Sequence, residues 1–405
     1  MAMAAPTITA TIAKIFCLIK LRKPAWGGVT PQMALTDILS CSKRPAAPNS
    51  RTAKLMMPAV MKEIPFSVHL AGIVTACSYI SYCLSTAAAP WLVARFGARA
   101  SACLAALCAA GGLLLLACAF SPLMLAAGLF IAGLSAGVAS PAIASAVGEA
   151  LPPAQQDSAN TAINAGTSAG IMLSVPLLLL LPGGWRAACV AFALLALLCL
   201  LPARRYLPAD RRTGQNDRAG WRDLMRQRSL LRLAIVAFIS GSASAAWWSF
   251  GPDILRNHLH LDARASSLLW LIGGGAGIAG ALTGAARRSL SLGQIYRLSL
   301  LCMALPLLLL ASLEGFSWWL FPAVALGGAG YVTLSGVLLV YGAAATPAAP
   351  ASGVGVAFFM LAAGQVAGSA LFGAVYAGLG AGTALLGFAA LALAMMAVLP
   401  GESKR

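Results

Sequence analysis

From residue 70 to residue 400 the chain passes through eleven uncharged, apolar segments, at 70–93, 101–119, 123–148, 159–181, 187–203, 233–252, 265–286, 298–313, 318–345, 351–376 and 379–400. Most approach or exceed the roughly 20 residues that a helix rising about 1.5 Å per residue needs to cross about 30 Å of hydrocarbon. Charged residues make up only 10% of the chain and hydrophobic ones 60%, whereas an ordinary soluble domain carries about 25% charged residues. So little polar surface cannot cover a water-soluble globule. Lipid is therefore the expected solvent, and the fold class is all-α, a polytopic membrane helix bundle with eleven clear spans.

The one long polar interruption among these segments, Ala203–Arg232, sets nine arginines against Asp210, Asp217 and Asp223. Short basic loops stay on the cytoplasmic face, so this stretch orients the chain and cuts it into two apolar halves. Alternating sides outward from it places sixteen basic residues inside, among them Arg95, Arg99, Arg287, Arg288, Arg297, Lys404 and Arg405. Beyond residue 66 it leaves only Arg186, Arg256 and Arg264 outside. The expected organisation is a basic arm at 1–54, an N-terminal transmembrane half at 55–203, a cytoplasmic linker at 204–232 and a C-terminal transmembrane half at 233–405. Topology thus accounts for most of the net charge of +17, and no nucleic-acid partner is expected. Ten cysteines form no CxxC pair and no Cys/His cluster. Most lie in apolar runs, where Cys behaves as a small hydrophobe, and neither a metal nor a cofactor is expected.

At the inner end of the first span, Pro90–Arg99 reads PWLVARFGAR. It resembles the loop motif of the major facilitator superfamily, G-x-L-x-D-R-x-G-R-R. Leu92, Arg95, Phe96, Gly97 and Arg99 match, while Pro90, Ala94 and Ala98 replace a glycine, the aspartate and an arginine. The resemblance implies that this segment steadies one transport state, and the missing aspartate removes part of the charge relay. Leu55–Tyr82, the run Gly183-Gly184-Trp185-Arg186, Trp270 with Gly273–Gly277, and Gly364-Gln365 extend the likeness over roughly 55–400. It is to bacterial permeases of the sugar or drug-efflux kind. The resemblance implies two six-helix halves rocking about a central cavity in a bacterial inner membrane, with the first helix degenerate or missing. In the fourth helix Leu129 stands where the family often has an arginine four residues before a glycine, here Gly133, so proton coupling is not supported.

Polar and aromatic residues inside apolar spans face a bundle interior or a wet cavity, because lipid offers them no partner. Tyr79, Tyr82, Asn160, Asn164, Thr167, Trp247, Trp248, Tyr331 and Gln365 are the candidate substrate-binding residues. Each could instead serve an interhelical hydrogen bond or an interfacial ring. Asn160 and Asn164 share a helix face, being one turn apart. Glycines three or four apart, at Gly166 and Gly170, at Gly273, Gly277, Gly280 and Gly284, and at Gly364 and Gly368, let helix backbones approach closely. No acid lies deep in a span, and no hydrolase triad, metal pair or phosphate loop can be assembled. The sequence therefore reads as a monomeric secondary transporter of a small, neutral or amphipathic solute and not as an enzyme. The alternatives are a membrane sensor or scaffold that keeps the fold without transporting, and an integral-membrane enzyme.

A first helix should fall at about 35–57, but Asp37, Lys43, Arg44, Arg51 and Lys54 lie there. Each charge costs about 2.5–3.5 kcal/mol at a helix centre, and Pro45 and Pro48 oppose a helix further. That stretch should not span, and the expectation is that the first ~50 residues are not the ancestral ones.

Overall fold

The computed structural model describes residues 63–64, 68–181, 184–208, 227–287, 289–347 and 349–401. The arm at 1–54 and the middle of the linker lie outside the described residues. All eleven apolar segments lie on helices, and no strand occurs among the described residues. Among the described residues, seven helical stretches are long and apolar enough to cross a membrane, and Leu268–Leu282 and Ala381–Met395 are shorter apolar helices. The chain is a multi-pass membrane protein.

The first two segments are joined more tightly than their charged boundary suggests. Both belong to α1 (Val68–Ala117), broken only where Gly97 adopts φ 87° and ψ 167°. That left-handed, extended geometry is nearly closed to other residues. One glycine therefore does what a loop was expected to do. Ser121 starts α2 (Pro122–Ala150) by accepting from the Met124 amide at 3.3 Å, a cap contributing about 1 kcal/mol. α3 (Pro153–Leu180), α4 (Gly184–Leu198) and α5 (Leu200–Tyr206) complete the N-terminal group. Gly184 turns into α4 at φ 63°. Arg186 then donates to the Ala117 carbonyl at 2.7 Å, satisfying an end group of α1, and pairs with Glu63 at 3.0 Å.

The C-terminal group opens with α6 (Arg228–Asp253), which passes through a single π turn at Ile254–His258. Asp262 caps α7 (Ala263–Ala276) by accepting from the Ala265 amide at 2.9 Å. A 3₁₀ segment, Gly277–Leu282, interrupts the expected span 265–286 before α8 (Thr283–Ala286). Glycine holds a helix weakly, and a Cβ on Gly277 would overlap Ser168 and Val332, so close packing and poor propensity coincide there. Ser291 and Gln294 form a capping box on α9 (Leu292–Ser312). α10 (Leu320–Ala345), α11 (Pro350–Leu379) and α12 (Ala381–Met395) follow. α10 ends at the cap Thr346, and the turn from α11 into α12 is made by Gly380, whose φ is 86°.

Helices α1–α5 surround one large apolar core, and α6–α12 surround two others. α3 packs on α7, the 3₁₀ segment, α8 and α10, while α11 packs on α1 and α2. The groups join firmly at one end of the bundle. There Ala144 of α2 meets Leu339, Val354 and Phe358. Asp157 at the start of α3 pairs with Arg287 beyond α8 at 3.3 Å.

Candidate functional site

The middle of α10 is where the polar candidates converge. Tyr331 carries its ring 4.8 Å from that of Trp248 on α6, and its hydroxyl receives a hydrogen bond from Gln365 Nε2 on α11 at 3.1 Å. Gln365 Nε2 also donates to Ser244 Oγ, on α6, at 3.2 Å. Trp270 of α7 closes the cluster, with its ring 5.5 Å from Trp248 and 5.6 Å from Trp247. Consecutive residues on a helix point about 100° apart, so the two neighbouring indoles do different work. Trp247 is 5% exposed and lies over Gly273 and Gly327. Trp248 faces Tyr331. Gly251, one turn beyond Trp247, leaves room for the Trp270 ring. A cavity of about 10 Å³ lies beside the indoles, lined by Met303, Pro306 and Gly327 as well as by Trp247, Trp248 and Tyr331. That is room for about one water molecule.

One residue further along α10, the partner is the other helix group. Asn164 of α3 donates to the Val332 carbonyl at 3.0 Å and to Ser335 Oγ at 2.8 Å. Ser335 gives its own proton to the Val332 carbonyl at 3.0 Å, so it must accept from Asn164. The Asn164 amide is thereby held in one orientation. Asn164 is 2% exposed, and a buried amide without such partners would cost about 1–3 kcal/mol. Tyr82 of α1 is half-buried, and its carbonyl accepts from Thr86 Oγ1 at 2.7 Å.

The remaining candidates are placed less closely. Asn160 is buried and Thr167 half-buried, both on α3. Tyr79 belongs to α1, and its side chain lies outside the described residues. Three residues at the centre were not among the candidates. Trp270 counted only toward the family resemblance, although its neighbouring glycines mark a large ring packed against close backbones. Ser244 hides in a run of small residues, and its signal is a spacing of four from Ser240, which bonds the Tyr296 hydroxyl at 3.2 Å. Ser335 gives no signal of its own.

The Pro90–Arg99 motif lies at the end of the bundle where the groups join. Leu92 packs on the core of α1–α5. Arg99 donates from Nε (3.1 Å) and from Nη2 to the Leu207 carbonyl, just beyond α5. A cation there satisfies an end carbonyl and complements the helix dipole. Arg95 is exposed, with its guanidinium 5.9 Å from the Trp91 ring and 5.8 Å from the Phe96 ring. Gly97 supplies the break in α1. Among the described residues no group of three or more His, Cys, Asp or Glu residues could hold a metal ion.

Residues 47–369 match the family model described as Major Facilitator Superfamily. The fold is similar to that of the human organic anion transporter MFSD10, with a TM-score of 0.69, 16% identity and 98% of each chain covered. It is similar also to that of the E. coli fucose:proton symporter FucP, with a TM-score of 0.67, 15% identity and 96% of each chain covered. A structure of FucP in the outward conformation matches with a TM-score of 0.68, 14% identity and 98% of each chain covered.

Proposed function

The chain belongs to the major facilitator superfamily, and from that premise we propose that it is a secondary transporter moving a small organic solute by alternating access. The observation that carries this reading is the meeting of polar groups from both helix groups at the middle of α10. Tyr331 there holds Gln365 and Trp248, and Val332 and Ser335 hold Asn164 across the bundle. Transporter sites of this kind sit near the bilayer midplane at the interface between repeats. Such a bundle supports transport if the two groups rock about that point. The contacts around Asp157–Arg287 and Ala144–Phe358 then hold one end shut while the other admits solute.

In this reading the solute contacts Tyr82, Trp248, Tyr331 and Gln365, with Tyr79, Asn160, Asn164, Thr167 and Trp247 around them. The protein works as a monomer in a bacterial inner membrane, with the Arg-rich linker and the C-terminus in the cytoplasm. The shut end is then the cytoplasmic one. Family membership points to a transporter and away from an enzyme. The test is uptake by purified full-length protein in liposomes, across a panel of labelled small organic solutes. At least one solute should enter with saturable kinetics, and Tyr331→Ala should abolish that entry. Folded protein that moves none of them would favour a sensor or scaffold that keeps the fold without transporting.

A further inference from the structure

The hydrogen bonds around Tyr331 decide what chemistry a ligand must bring. Ser244 Oγ donates its proton to the Gly241 carbonyl at 2.7 Å. The Gln365 atom facing Ser244 must therefore be a donor, which assigns it as Nε2 and fixes the orientation of the amide. Both Nε2 protons are then spent, on Ser244 and on Tyr331. What remains is the Gln365 Oε1 acceptor, which has no donor among the described residues. On Trp248, whose ring lies against Tyr331, the Nε1 donor is buried and has no acceptor among the described residues. A buried N–H without an acceptor is rare in folded proteins and costs free energy until something accepts from it.

The walls carry no compensating charge. α10 and α11 hold no charged residue, α7 holds none beyond Arg264, and α6 holds none between Arg232 and Asp253. An ionic ligand would leave water without a counter-ion, at a cost that a neutral one avoids. The rings of Trp248, Trp270 and Tyr331 pack against one another, and Trp247, Trp248 and Tyr331 line the cavity beside them, so the walls of the site are apolar and aromatic. From these three features we infer that the site selects a neutral, ring-bearing solute with one hydrogen-bond acceptor, for Trp248 Nε1, and one donor, for Gln365 Oε1. This rests on the central cluster being the solute site of a transporter, and it adds the class of solute and its orientation.

Three isosteric probes separate charge from hydrogen bonding. Benzamide is neutral and has both an acceptor and a donor, benzoate is anionic and lacks the donor, and benzamidinium is cationic and lacks the acceptor. Binding is measured by calorimetry on the full chain in lipid nanodiscs. Benzamide should bind saturably below about 10 mM, at least ten-fold tighter than either ion. Trp248→Phe keeps an aromatic ring but removes the N–H together with part of the indole, and should weaken benzamide several-fold. Trp270→Phe, at the neighbouring ring, removes the same ring area without that N–H and should weaken it less. Gln365→Leu should also weaken benzamide several-fold, and thermal unfolding confirms that all three variants are folded. No saturable binding of benzamide overturns the inference. An ion that binds as tightly as benzamide, and is weakened by Trp248→Ala, overturns the solute class while leaving the site in place. Benzamide binding that ignores both Trp248→Ala and Gln365→Ala overturns the site itself.

Discussion

Asn164 shows how a single side chain is defined by its neighbours. On a helix surface it would be an indifferent residue, with poor helix propensity. Against α10 it becomes the donor to two acceptors, because Ser335 has already given away its proton. Asn164→Ala removes both bonds across the bundle and leaves buried acceptors unfilled. We expect the joined arrangement to lose about 1–3 kcal/mol, a shift of roughly 5- to 150-fold in the balance between conformations. Uptake should fall accordingly, while the protein still reaches the membrane. Unchanged transport kinetics in that variant would show that the contact plays no part in the cycle. Gln365 obeys the same logic through Ser244. In both cases a serine hydroxyl orients an amide, and a reader of the sequence has no means of pairing them.

The contact between α6 and α11 depends on small residues. A Cβ on Gly364 would overlap the Phe238 carbonyl, and one on Gly368 would stand 2.4 Å from the Ser242 oxygen. In return Ser242 Oγ donates to the Gly364 carbonyl at 3.0 Å. Gly364→Ala should destabilise the protein by about 1–3 kcal/mol, the usual range for overpacking. Gly387 on α12 has open space where its Cβ would be, so Gly387→Ala should leave stability unchanged or raise it by up to about 1 kcal/mol. Thermal unfolding in detergent compares the two, and equal losses would refute the packing argument. The spacing of four at Gly364 and Gly368 was legible as a close-packing face, because helical period alone puts the two residues together. Which helix would press against them was not, since any small-residue face would serve. The break at Gly97 was legible only as a boundary between apolar runs. That the boundary is one residue long follows from its φ of 87°, which sequence does not specify.

For the whole molecule, orientation in the membrane is the property to check. The excess of arginine in Ala203–Arg232 and the sparse charge of the opposite loops set the expected sides. A single cysteine at Asn257, which is exposed, in a cysteine-free background should react with an impermeant maleimide in intact cells. One at Gln215 should react only after the cells are permeabilised. The reverse pattern would invert the topology and would place the Asp157–Arg287 pair on the outer side. That pair is about one-third exposed, so its own contribution is modest, about 0.2–1 kcal/mol. The apolar contact of Ala144 with Leu339, Val354 and Phe358 contributes more to joining the two helix groups there.

Solvent, class of element and the approximate course of most helices were legible in the sequence. Those depend on composition and on short-range period: apolar length for a span, a serine or aspartate for a cap, a glycine for a left-handed turn. The sequence also picked out residues that lipid could not accommodate alone. How those residues pair follows from packing between helices far apart in the chain. Asn164 and Ser335 are 171 residues apart, and Gln365 and Ser244 are 121 apart. Such pairs are set by which helix faces pack together, and an apolar face is nearly the same on every helix of a membrane bundle. The helices are therefore local facts, whereas the site is a long-range one, decided by the few backbone crossings that glycine and serine allow to come close.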